Sequence, residues 1–216
     1  MMTPETLISA AIAISFAAGL NVYATMLGLG IIARLHWATL PGGLDALSNV
    51  WVMAACGLLF SAEFFADKIP GFDLIWNAAH TFVRLPLAAL LAYQVTAHLP
   101  PLVQAGAAAL GATIAGVAHG SKIAIRAAVT PSPEPVSNIA LSSGEDAVAL
   151  GLTWAATAHP LAAGVAGGLL TLAALVAIWF SVRLLRRMVK GFGAKRWSIF
   201  RLGSAGLTRS ASSSKV

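Results

Sequence analysis

The amino-acid sequence predicts an all-α fold, a polytopic membrane helix bundle of about six spans, and three observations predict it. Of the 216 residues, 58% are hydrophobic and only 10% are charged. Soluble domains carry about a quarter charged residues, so a water-facing surface cannot be assembled from this composition. Apolar runs long enough to cross a hydrocarbon core of about 30 Å as helices recur along the whole chain, which leaves no room for a soluble receptor domain. The charge is also asymmetric. Nine Lys and Arg residues and no acid occur from Arg183 onward, leaving a net charge of −3 before that point.

The first run, 6–33, resembles a signal peptide in having Ala17-Ala18-Gly19 at a cleavage-like distance. The residues before it contain Glu5 and no base, so the segment is expected to stay in the mature protein. The remaining helices fall at 47–66, 72–97, 102–128, 138–158 and 160–184. The fifth is the weakest, because Glu145 and Asp146 interrupt it. Ser137 and Asn138 are candidate N-caps for it, with Ser142–Asp146 an alternative start that would put both acids in a first turn. Before it, the proline-dense stretch from Thr130 to Pro135 reads as an extended loop. Residues 1–184 therefore form the transmembrane domain, and 185–216 form a basic tail expected to be disordered. The positive-inside rule places that tail in the cytoplasm against anionic lipid rather than against nucleic acid. With six crossings, both termini share that side, with Lys68, Lys122 and Arg126 on it and Arg34 opposite.

The halves 6–97 and 102–184 resemble each other. Runs one and four each carry a glycine-centred interruption, Ala18-Gly19-Leu20-Asn21 and His119-Gly120-Ser121-Lys122. Ser61–Phe64 corresponds to Ser143–Asp146. A three-span unit repeated in tandem enters the membrane from opposite sides, and broken helices in inverted halves point to a binding site at mid-membrane. Close helix packing through Gly19, Gly28, Gly30, Gly106, Gly111 and Gly116 explains the same residues equally well.

The polar residues carry the functional signal. At about 100° per residue, Asp73, Asn77, His80 and Arg84 fall in one narrow stripe of an otherwise apolar helix. Arg84 lies about 18 Å into that helix, beyond easy snorkelling, so it should face the bundle interior with an acid or a bound anion beside it. Pro86 frees the carbonyl of Phe82 nearby. His119, Lys122 and Arg126 make a second stripe. Their counterparts are Glu63 and Asp67 on one helix face and Glu145 with Asp146, which together with Arg34, Lys68 and Arg84 suggest a nearly neutral buried network. Alternatively, Glu63, Asp67, Lys68 and Asp73 line a wet turn at Pro70-Gly71. The candidate site for substrate binding or ion coupling is thus Asn21, Glu63, Asp67, Lys68, Asp73, Asn77, His80, Arg84, His119, Lys122, Arg126, Glu145 and Asp146.

No phosphate loop, cysteine pair, zinc helix or nucleophile elbow is present, and His80, Asp73, Glu145 and Asp146 lack diagnostic metal-ligand spacing. No catalytic residue, metal or cofactor is assigned. Cys56 stands alone and reads as packing. His36, His98 and His159, with Trp37, Trp51, Trp154, Trp179 and Tyr93, read as interfacial or packing residues.

Gly19–Tyr23, Glu63–Pro70 with Asp73 and Trp76, His80–Arg84, His119–Arg126 and Ser142–Asp146 together resemble the bacterial and plastid integral-membrane family catalogued as domain of unknown function 4126, over about residues 7–160. The resemblance implies a multi-span membrane protein whose motif residues are the polar ones above, and it brings no activity with it. The residues favour a small inner-membrane transporter or channel-like protein for an anionic or polar solute over an enzyme. The alternatives are a membrane-embedded enzyme acting on a lipid head group and a non-catalytic assembly subunit. The expected partners are the lipid bilayer, anionic lipids at the tail and a small solute, with a homo-oligomer compatible and no nucleic acid.

Overall fold

A computed structural model of the chain describes residues 2–41, 43–69, 71–129 and 135–212, the side chains of 129, 135, 137, 138 and 188–212 excepted. Helices joined by short turns and loops make up the described residues, with no strand among them. In order they form α1 (Pro4–Arg34), a short 3₁₀ turn (Asp45–Ser48), α2 (Val50–Ala66), α3 (Phe72–Val95), α4 (Pro101–Val129), α5 (Pro135–Ala158) and α6 (Pro160–Ser212). Pro4–Arg34, Phe72–Val95, Pro101–Ala128 and Pro160–Arg187 are long and apolar enough to cross a membrane. Val50–Ala66 is apolar but shorter, and α5 with its two acids is outside that set.

α1 starts with Thr3 accepting from the amide of Thr6 and Pro4 in its first turn. Its interior breaks once, at Asn21, whose backbone is extended (φ −152°, ψ 99°). Asn21 caps the helix that resumes beyond the break, because its Oδ1 accepts from the amide of Ala24 at 2.9 Å. The interruption expected in the first run is therefore present, and contacts show how sharp it is. Ser9 meets Gly164 and Ala13 meets Gly167 on α6, whereas Asn21 meets Asp146 and Gly28 meets Thr153 on α5. Only His159 separates α5 from α6. A straight α1 would carry Gly28 about 28 Å beyond Ser9, out of reach of an α5 that must rejoin α6 at once. The two arms, 4–20 and 22–34, thus make a V with Asn21 at its apex.

The first arm is the centre of the molecule. It runs parallel to α4, with Gly19 against the backbone of Ala115 and Ser15 beside Gly111, and α4 runs parallel to α6, with Gly120 beside Ile178. α3 runs opposite to α4, with Gly111 against Ala88 and Ala92 and Gly116 beside Leu85. The second arm packs with the 3₁₀ turn, α2 and α5. Pro4 consequently lies where α4 and α6 begin, at the opposite end of the core from where α4 ends. The fold at Asn21 puts the start of α1 and the far end of α6 at opposite ends of the bundle, where six straight passes would put them at one end.

Two further expectations change. α4 is unbroken at His119–Lys122: Ser121 bonds back to the carbonyl of Ala118 at 2.7 Å and the helical ladder continues. Glu145 and Asp146 are not first-turn residues, since α5 begins at Pro135. The backbone of α6 runs on through 185–212, and no proline occurs after Pro160. The proline-dense loop at 130–134 and the side chains of Ser137 and Asn138 lie outside the described residues. Of the six glycines weighed for packing, Gly19, Gly30 and Gly111 approach neighbouring chain so closely that a Cβ would collide, while Gly28 and Gly116 make ordinary contact and Gly106 faces open space.

Candidate functional site

The polar stripes converge below the apex of the V, in the half of the bundle that ends at the α2–α3 turn. α2 delivers Glu63 near its end and Asp67 as its C-cap. α3 opens after Gly71, whose positive φ of 85° suits a residue without Cβ. Asp73 stabilises that opening by accepting from the amides of Gly71 (2.9 Å) and Leu74 (2.8 Å).

Arg84 is 0% exposed. Its side chain runs back toward the start of α3, as long helical side chains do, so the guanidinium sits near Asn77 rather than at the depth of its own Cα. Nη1 donates to Asn77 Oδ1 at 3.0 Å, and Nη2 pairs with Glu63 Oε1. Nη1 also lies 2.7 Å from His119 Nδ1. A guanidinium only donates, so Nδ1 is the acceptor and the imidazole is neutral with its proton on Nε2. Nε2 accordingly lies 3.0 Å from the carbonyl of Asn77 and 2.9 Å from Thr81 Oγ1.

Lys122 binds three elements together. Its Nζ donates to Asp67 Oδ2 at 2.5 Å and to Glu63 Oε1 at 3.4 Å, and lies 3.5 Å from Glu145 Oε2. It also donates to the carbonyl of Leu20 at 3.2 Å, an acceptor at the end of the first arm where helix polarity favours a cation. Arg126 donates to Glu145 Oε2 (2.6 Å), Asp73 Oδ2 (3.3 Å) and the carbonyl of Asp67 (2.9 Å). Asn77 Nδ2 closes the network on Asp67 Oδ1 at 3.0 Å. At the apex, Asn21 Nδ2 donates to Asp146 Oδ1 at 2.9 Å.

The structure thus gathers Asn21, Glu63, Asp67, Asp73, Asn77, Arg84, His119, Lys122, Arg126, Glu145 and Asp146. It separates the other two candidates. His80 is half-buried, bonded through Nδ1 to the carbonyl of Trp76 (2.9 Å), stacked on the Trp76 ring at 4.3 Å and edge-on to Tyr23. Lys68 lies over the Phe64 ring, 3.0 Å from its centroid. Desolvation there holds its ammonium pKa below the ordinary lysine value. Arg34 is exposed and donates to the carbonyl of Ser48. Among the described residues the network holds five carboxyls and three cations, with Lys68 at its edge and Arg34 outside it. Glu63, Asp67 and Asp73 are buried and do not line a wet turn. Thr81 and the buried Ser142 stand within the quoted motifs but outside the candidate site, each one helical turn from a candidate, Asn77 and Asp146.

Fold and site together define a class: a multi-span α-helical membrane protein with a buried ionic cluster at a broken central helix. A family model described as Domain of unknown function (DUF4126) matches residues 8–183, and the chain belongs to that family. No curated protein and no solved structure matches it.

Proposed function

We propose that this chain is a small transporter or channel-like protein of the bacterial inner membrane, handling a polar solute or an ion at the cluster below Asn21. The observation that carries this reading is the convergence of fully buried polar and charged side chains, among them Glu63, Asn77, Arg84, His119 and Lys122, on the point where α1 breaks. Charges inside a membrane protein are costly and mark ion or substrate pathways, and a broken helix frees backbone groups for the same purpose. Arg84, Lys122 and Arg126 are each already paired with carboxylates, so an anion would have to displace one. The surplus of acids favours a proton or another cation as the coupled species. Lys68, Arg126, Arg183, Arg186 and Arg187 gather at one end of the bundle, which supports a cytoplasmic placement of that end and of the basic tail.

The completeness of that pairing also suits the rival reading, an assembly subunit in which ion pairs only fix helix register. Flux distinguishes the two. Purified protein in liposomes should dissipate an imposed proton or cation gradient at least tenfold faster than empty vesicles, and Glu63→Gln should abolish the difference. Flux no faster than that of empty vesicles would remove transport from consideration.

A further inference from the structure

Four of the five clustered carboxyls, Glu63, Asp67, Asp73 and Glu145, touch Lys122, Arg84 or Arg126. Asp146 makes no ion pair among the described residues, although it is only 6% exposed. Its Oδ1 accepts from Asn21 Nδ2. The orientation of that amide is fixed, because Asn21 Oδ1 is occupied by the amide of Ala24. Asp146 Oδ2 is buried with no hydrogen-bond partner, and so is Ser142 Oγ. The groups that face Asp146 are Asn21 on α1, Glu63 and Asp67 from α2 and its cap, and Lys122 on α4, with Lys68 and Glu145 also near. Lys122 is already engaged by Asp67 and Glu63, and Lys68 lies over the Phe64 ring, so neither pairs directly with Asp146 to compensate a further buried negative charge.

We propose that Asp146 is the proton-binding residue of this protein, carrying the proton on Oδ2, and that Asn21 relays its protonation state to the bend in α1. This rests on the transport reading for its purpose but not for its chemistry. Release is a simple acid step: the Oδ2–H bond breaks, water takes the proton as hydronium, and a carboxylate remains. Ser142, one turn earlier on the same face of α5, lies toward the end where the basic groups gather, and its buried hydroxyl likewise has no partner among the described residues. The new carboxylate strengthens the bond from Asn21 Nδ2. That amide simultaneously caps the second arm of the V, so the angle between the arms responds to the charge.

The test is infrared spectroscopy of the full chain in nanodiscs across a pH titration, with flux measured on the same preparations. The wild type should show a protonated carboxyl C=O band at pH 7 that disappears in the isosteric Asp146→Asn and persists in Asp67→Asn. In Asn21→Ala, which leaves the carboxyl in place, the band should shift because its donor is lost. Absence of the band in the wild type, its survival in Asp146→Asn, or an unshifted band in Asn21→Ala overturns the proposal. A band that behaves as expected without proton flux would keep Asp146 as a proton site and reject proton transport. Flux without the band would do the reverse.

Discussion

Arg84 shows how much of this molecule is decided by one side chain. Removing it leaves the buried Glu63 carboxylate with only its 3.4 Å contact to Lys122, and breaking a buried pair in this way costs about 3–5 kcal/mol. Arg84→Ala should therefore lower the thermal unfolding midpoint in detergent substantially. Arg84→Met combined with Glu63→Leu should recover most of the loss, because replacing both partners with apolar groups leaves no charge uncompensated. A double variant as unstable as the single one would mean that the pair is not the main partner of either residue. His119 gives a second check at this scale. As a neutral acceptor from Arg84 it must not be a cation, so His119→Asn, which also presents an acceptor, should retain more stability than His119→Lys, which adds charge beside Arg84.

At the scale of the element, α1 depends on two devices. The first is the backbone contact at Gly19, where a Cβ would lie 2.6 Å from the carbonyl oxygen of Ala115. Gly19→Val must push the first arm off α4 and should destabilise by about 1–3 kcal/mol. Gly106→Ala on α4, with nothing within 4 Å, should be close to neutral in the same denaturation assay. The second device is the cap supplied by Asn21. Asn21→Ala removes it and should cost about 1 kcal/mol through the second arm alone, measurable as faster amide exchange at residues 22–25. Exchange unchanged from wild type would show that the second arm is held by packing rather than by its cap.

The whole molecule makes a topological prediction. Because α1 folds back at Asn21, Pro4 and the end of α4 occupy opposite ends of the core. Membrane-impermeant labelling of single cysteines should find position 3 accessible from one side and position 68 from the other. Both labelled from the same side would restore an unbroken first span.

The extents of five helices were legible from runs of apolar residues, since twenty or so uncharged positions in lipid have no stable alternative to a helix. The ionic residues were also legible: a charge in such a run stands out, and its spacing reveals a shared helix face. Eleven of the thirteen candidate site residues do meet, as backbone direction and face spacing require. What the sequence alone left open was pairing and direction. His80 and His119 look equivalent in a linear reading, yet only His119 meets Arg84, because the crossing of α3 with α4 selects it. The glycine-centred interruptions expected over Ala18–Asn21 and His119–Lys122 look alike in a linear reading. Only the first exists, because Asn21 finds both an amide to cap and Asp146 to hold, whereas Ser121 bonds back to its own helix. Composition and periodicity fix which segments are buried; which buried group meets which is a property of helix contacts between distant parts of the chain, and local sequence does not encode it.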